Sequence, residues 1–190
     1  FKDASSSYLA HFPGWDLVSL PRQNSIDATP IRDTYFGAAA AGQAEGLNPL
    51  AQMLPPSSLA FLQQFSQTAA YTELRTEWQM LRKYRQSWAT APYPPVFVTV
   101  DALVRCGNEV LVIRRGHAPG KGLLALPGGF LEPRDTLWQS CLRELQEETH
   151  CALEEPSLRA ALQSVTVFDH PDRSQRGRTI THVHYFDLKQ

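Results

Sequence analysis

An α+β fold with a mixed sheet is the class this sequence predicts, on three observations. Residues 96–104, Val-Phe-Val-Thr-Val-Asp-Ala-Leu-Val, are strongly β-branched and apolar, as a buried strand should be. Residues 135–148 carry Leu137, Trp138, Cys141, Leu142 and Leu145 at helical spacing, which gives one stripe to bury. Two further strand-like runs, 162–169 and 179–188, follow that helix. The chain has 190 residues, room for one domain or two small ones, and 43% hydrophobic with 10% aromatic residues is enough for a core. A formal net charge of −1 argues against bulk electrostatic capture of nucleic acid. Charge is nevertheless segregated: acids crowd residues 132–155, and bases gather at 75–85, 114–115 and 173–178.

From the N-terminus, residues 15–21 are expected to form a short strand ended by Pro21. Pro30 as the first helical residue, with Thr29 just ahead of it, then marks a helix start. A helix N-terminus with a hydroxyl and Arg32 suits an anion, although simple capping explains the same residues. Residues 36–54 are rich in Ala and Gly without a steady apolar period and are expected to be a loop. Pro55-Pro56 starts a helix that Ser57 or Ser58 can cap, burying Leu59, Leu62 and Phe65. A second helix is expected over 71–88, burying Leu74, Trp78, Leu81 and Tyr84 or Arg85, with its other arginines on a solvated face.

After the strand at 96–104, Gly107-Asn108 turns the chain and residues 109–114 should return as its hairpin partner. Arg114, Arg115 and His117, with Gly116, Gly120, Lys121 and Gly122, make a flexible basic loop. Its guanidiniums suit a diphosphate, and surface arginines at a strand end are the plain alternative. Residues 170–178 are expected to be a mobile polar rim. His182 and His184 alternate onto one strand face with Ile180 and Phe186, where packing on the sheet explains them better than a ligand pair.

The chemistry concentrates at 126–148. Gly128 and Gly129 are expected in a turn that brings backbone close to a ligand, and Asp135 and Thr136 should start the helix. Glu144, Glu147 and Glu148 stand three and four residues apart, so their Cβ atoms lie roughly 5–6 Å from one another on one surface. At an effective dielectric of ~20, each such pair repels by roughly 3 kcal/mol. Helix propensity does not offset that. Either the carboxylates take up protons or a hard cation joins them, and oxygen ligands favour Mg²⁺ or Mn²⁺.

This segment resembles the Nudix box: a glycine, a glutamate six residues on, then Arg-Glu-aliphatic-x-Glu-Glu-x-Gly-aliphatic. Gly129 and the run Arg143-Glu144-Leu145-Gln146-Glu147-Glu148 match. Asp135 stands where the family has glutamate, one methylene shorter, and is expected to serve as a helix cap rather than in catalysis. His150 stands where the family has glycine, at a helix end where a left-handed residue is useful. The resemblance covers residues 95–190 and implies a Nudix-type mixed sheet/α sandwich that usually adds a final strand and helix, so the C-terminus is expected to be cut short. It further implies an Mg²⁺-dependent pyrophosphohydrolase with Arg143, Glu144, Glu147 and Glu148 as catalytic residues. Gly129, Glu144, Glu147 and Glu148 would hold the metal, and Arg114 and Arg115 the substrate. The base is left open between one of these glutamates and a later acid such as Asp172.

A fainter resemblance precedes it. Residues 26–32 are similar to the Ile-Ser-Ser-Thr-x-Ile-Arg motif of nicotinamide-mononucleotide adenylyltransferases, of which only Thr29 and Arg32 carry over as phosphate-binding groups. The His-x-Gly-His motif that such enzymes also need is absent, so adenylyl transfer is not expected. The expected organisation is the tail of a nucleotidyltransferase-like α/β domain at 1–45, a helical connector at 46–92 and a Nudix domain at 93–190, within a longer protein. Taken together, the two resemblances imply a bacterial bifunctional family of NAD metabolism whose Nudix half hydrolyses ADP-ribose to AMP and ribose 5-phosphate. Two alternatives remain: another nucleoside diphosphate substrate, or a non-catalytic ADP-ribose sensor. The partner expected is a nucleotide, with no nucleic acid and no membrane, and a homo-oligomer is compatible with the sequence. Cys106, Cys141 and Cys151 are odd in number and lack paired spacing, which points to reduced thiols and a cytoplasmic setting. No stretch reaches ~18 apolar residues, and no leader is expected.

Overall fold

The computed structural model describes residues 14–16, 18, 27–37 and 45–188. Most of the strand expected at 15–21, and Ile26 of the short motif, lie outside the described residues. Contacts divide the chain into two units between Thr72 and Glu73.

In the first unit, helix α1 spans Ala28–Gly37, a 3₁₀ helix Glu45–Leu50, and helix α2 Pro56–Phe65. Helix α3, Ala69–Ser87, contains the division. The core is aromatic: Tyr35 and Tyr71 are buried with Leu47 and Leu50, and Leu59, Leu62 and Phe65 pack against them. Two hydrogen bonds fix the rings. The Tyr35 hydroxyl donates to the Leu62 carbonyl at 2.7 Å, and the Tyr71 hydroxyl to the Tyr35 carbonyl at 3.1 Å. Burial pushes the Tyr35 hydroxyl up to about 12, and Tyr71 adds to the shift.

Several expectations are corrected here. Helix α1 begins at Ala28, ahead of Thr29 and Pro30, because Asp27 Oδ1 accepts the Thr29 N–H at 2.9 Å. The stretch expected to be a loop holds the 3₁₀ helix, since Leu47 and Leu50 are drawn into the aromatic core despite lacking a helical period. At α2, Pro55 is the N-cap residue and no side chain caps, so neither Ser57 nor Ser58 has that role. On α3, Leu81 is buried but Leu74 is exposed.

The second unit is built on strand β1, Val96–Cys106. Strands β2, Glu109–Val110, and β5, Gly128–Phe130, lie antiparallel to β1. Strand β7, Arg178–Leu188, runs parallel to β1 along its whole length, and β6, Leu162–Phe168, is antiparallel to β7. Strands β3, Ile113–Arg114, and β4, Leu124–Ala125, form a separate ribbon. The expected return strand at 109–114 is thus two pieces serving different sheets. Gly128 and Gly129 lie in a strand opposite Asp101 and Val100, not in a turn.

Helix α4, Leu137–Thr149, packs on β1 and β5, and helix α5, Glu155–Ala161, on β7. No sequence signal had been assigned to α5. The core joins Val100, Ala102 and Val104 of β1 with Cys141 and Leu145 of α4, Leu158 of α5 and Phe186 of β7. This alternation along β1 is what a strand covered on one face requires. Leu145→Ala should therefore lower unfolding free energy by about 2–5 kcal/mol, whereas Leu74→Ala on the exposed face of α3 should cost less than about 1 kcal/mol. Denaturant melts of the two variants would measure this, and equal losses would refute the core assignment.

Candidate active site

Helix α4 is held at its start by Thr136. Its hydroxyl accepts the Gln139 N–H at 3.2 Å, while the Gln139 side chain accepts the Thr136 N–H at 2.9 Å, a reciprocal capping box. Asp135 is therefore not the cap. Its Oδ2 accepts from the buried Ser140 hydroxyl at 3.1 Å and from Arg143 Nε at 3.3 Å. The shorter acid anchors the arginine instead. At the other end, His150 takes the left-handed conformation, φ 54° and ψ 31°, and its N–H reaches the Gln146 carbonyl.

Arg143 Nη1 donates to Glu144 Oε1 at 3.0 Å and to Glu147 Oε2 at 3.2 Å. Glu148 Oε2 instead accepts the Gly128 N–H at 2.9 Å. Among the described residues, no three His, Cys, Asp or Glu side chains stand together as a ready ion cage. The adjacent guanidinium draws Glu144 and Glu147 to itself, and the edge of β5 takes Glu148.

A fourth carboxylate, Asp101, was missed by sequence reasoning. On β1 it stands opposite Gly128 of β5 and is half-buried. Burial raises its pKa from 3.8 to about 6; Arg173 and Arg115 oppose the rise, while Glu148 and Glu144 add to it. Burial likewise raises Glu144, with Arg143 opposing and Glu148 and Glu147 adding. The available signal was an acid inside an apolar run, which is costly unless something there uses it. These groups offer only hard oxygen donors, and the charged forms of Asp101 and Glu144 are disfavoured, so the set suits Mg²⁺ or Mn²⁺.

The glycines decide how close strand and helix come. A Cβ at Gly129 would run into the Glu144 carboxylate, and one at Gly128 into the Asp101 side chain and the Val100 carbonyl. A cleft of about 520 Å³ lies here, with Asp101, Glu148, Gly128 and Gly129 in its wall. Arg114 and Arg115 line the same cleft, as do Arg173 and Arg176 from the loop before β7. The last two had been seen only as part of a basic rim. Burial, and then repulsion from Arg115, lower Arg176, whose guanidinium lies 5.1 Å over the Phe130 ring. Asp172 is exposed, is not among the residues lining this cleft, and its N–H bonds His170 Nδ1 at 3.2 Å. His184 is buried beside Trp138 and Phe186, and burial lowers its basicity, so it serves the core. Thr29 and Arg32 belong to the first unit, where both side chains are exposed.

A family model described as NUDIX domain matches residues 95–190. A crystal structure of a bifunctional NMN adenylyltransferase/ADP ribose pyrophosphatase from Francisella tularensis, complexed with AMP and a Mn ion, is 39% identical with a TM-score of 0.76. That match covers 98% of this chain and 54% of the Francisella chain. An ADP-ribose pyrophosphatase of Methanocaldococcus jannaschii is 36% identical over 108 residues, 57% of each chain. A nicotinamide/nicotinic acid mononucleotide adenylyltransferase of Acinetobacter baylyi is 31% identical over 80 residues, 42% of this chain and 38% of that protein. The chain thus spans from 38% to 57% of the length of these relatives.

The raised Asp101 predicts a pH effect on stability. Between about 4 and 6 the folded carboxyl holds a proton that the unfolded one releases, so stability falls as pH rises through that window, and the loss is complete above it. In EDTA, Asp101→Asn should raise the melting temperature at pH 8 and leave it nearly unchanged at pH 4, with an upper limit of about 3 kcal/mol. Thermal melts at both pH values check this, and a loss of stability at pH 8 would contradict it.

Proposed function

The chain belongs to the NUDIX family, and from that premise we propose that its second unit hydrolyses a diphosphate linking a nucleoside to another group, with ADP-ribose as substrate and AMP and ribose 5-phosphate as products. One observation carries this reading: Asp101 and Glu148 share a single cleft with four arginines, beside the Arg143 to Glu148 helix face. Support for the substrate comes from the Methanocaldococcus and Francisella relatives, both called ADP-ribose pyrophosphatases.

Arg114, Arg115, Arg173 and Arg176 would bind the phosphate oxygens, cancelling the charge that otherwise repels an attacking oxygen. Glu144 and Glu148, with Glu147, Asp101 and the Gly129 backbone beside them, would hold Mg²⁺ or Mn²⁺. Such a cation supplies charge neutralisation at the diphosphate and acidifies water. Arg143, itself tied to Asp135, would orient Glu144 and Glu147 through the ion pairs described above. A carboxylate of this set would accept the proton from water as its oxygen bonds to one phosphorus and the bridging P–O bond breaks. Thr29 and Arg32, in a segment read as the tail of a nucleotidyltransferase-like domain at 1–45, would be a phosphate-binding remnant without transferase chemistry. The free thiols of Cys106, Cys141 and Cys151 fit a cytoplasmic setting, and no helix among the described residues is long and apolar enough to cross a membrane.

Chromatographic product analysis with ADP-ribose and Mg²⁺ tests the proposal. AMP and ribose 5-phosphate are expected in equal amounts, and Glu148→Gln should lower turnover by about 10²-fold or more while keeping the fold. Binding without turnover would indicate a sensor, and preference for another nucleotide would reassign the substrate. The same chain given ATP and nicotinamide mononucleotide should form no NAD in a coupled assay.

A further inference from the structure

Helix α3 reaches both loops that bring arginines to the cleft. The Glu77 carboxylate accepts the Gly120 N–H at 2.9 Å in a part-buried setting. Gly120, at φ +74°, lies in the loop after Arg114 and Arg115, and that loop is closed on itself. Arg115 N–H donates to the Leu123 carbonyl at 2.9 Å, Gly122 N–H to the Arg115 carbonyl at 2.8 Å, and Arg115 Nε to the Pro119 carbonyl at 2.8 Å. Holding Gly120 therefore holds the Arg115 side chain.

About two helical turns further on, Arg85 Nε donates to the Gln175 carbonyl at 2.9 Å, within the loop that carries Arg173 and Arg176. An aromatic series also runs from this helix to Arg176. Tyr84 and Trp88 meet Phe97 of β1 at 5.8 and 5.5 Å, Phe97 meets Phe130 of β5 at 5.8 Å, and Arg176 lies over Phe130. Glu77, Leu81, Tyr84, Arg85 and Trp88 recur at spacings of three and four, so one face of α3 makes all these contacts. The cleft arginines repel one another, as Arg115 and Arg176 show, so loops left untied would drift apart before substrate arrives.

We infer that Glu77 and Arg85 are positioning residues that fix the two arginine-bearing loops at the separation an anionic diphosphate requires, on the basis of the bond from Glu77 to Gly120 and the bond from Arg85 to Gln175. The inference rests on reading the cleft as a diphosphate site. The α4 carboxylates bond elsewhere, Glu144 and Glu147 to Arg143 and Glu148 to the Gly128 N–H, so loosening a tie weakens binding and spares the chemical step.

Steady-state kinetics of the full chain with ADP-ribose and Mg²⁺, together with amide exchange at Gly120 without substrate, test it. Glu77→Ala should raise KM roughly tenfold, keep kcat within about twofold and lose protection at Gly120. Glu77→Gln, whose amide oxygen still accepts, should restore all three. Arg85→Ala should raise KM by a smaller factor of about three, because its bond is exposed. Arg82→Ala is the control on the same helix, since Arg82 lies over Trp78 and ties neither loop. An unchanged KM with intact Gly120 protection in Glu77→Ala would overturn the inference. A fall in kcat that Glu77→Gln fails to restore would overturn it equally, by showing a structural role only. Absence of turnover by the wild-type chain would sink the reading of the cleft itself, a failure visible before any variant is compared.

Discussion

The second unit depends on the absence of two side chains. Because Gly128 and Gly129 carry no Cβ, strand β5 lies against the Asp101 side chain on one side and the Glu144 carboxylate on the other. A Cβ at Gly129 would displace the Glu144 carboxylate, and one at Gly128 would clash with the Asp101 side chain and the backbone of β1. That close approach sets an electrostatic cost. Burial and the neighbouring Glu148 disfavour the charged forms of Asp101 and Glu144, and for Glu144 the Arg143 guanidinium offsets only part of this. The packed core of Val100, Cys141, Leu145 and Phe186 keeps the arrangement from relaxing by separation.

Around this acidic strip the structure places its positive charge mostly on loops. Arg114 and Arg115 come from the end of β3 and the loop beyond it, and Arg173 and Arg176 from the loop before β7. Loops carry function well when something rigid positions them. Here α3 provides the rigid support, by hydrogen bonds at both loops and by an aromatic series that ends under Arg176. Anions are thus gathered by residues far apart in sequence, and the acids that face them come from one helix and one strand.

This division explains what could be read from the sequence. The chemistry of α4 is local: its apolar stripe and the Arg143 to Glu148 spacing follow from positions three and four apart, and the left-handed end at His150 from its place just past the helix. The β-branched run of β1 and the two late strands were legible for the same reason. Asp101 was not, because its proximity to Glu144 and Glu148 arises from β1–β5 pairing. The parallel pairing of β1 with β7 is also long-range, so the Arg173 and Arg176 loop could be recognised as basic but not placed. Asp135 was assigned as a cap on residue type alone; Thr136 took that role through Gln139, which freed Asp135 to hold Arg143. Leu47 and Leu50 lack a period, and only the Tyr35 and Tyr71 rings reveal why they are buried.

The proposed function requires that the acids around Gly128 and Gly129 bind a cation. Titration of Mn²⁺ followed by the electron paramagnetic resonance of the free ion tests it without any substrate. The account predicts saturable binding by the wild-type chain, weakened by about 10-fold or more in both Glu144→Gln and Glu148→Gln, and unchanged in Glu109→Gln on β2. Equal Mn²⁺ affinity in all four proteins, or no saturable binding at all, would contradict it.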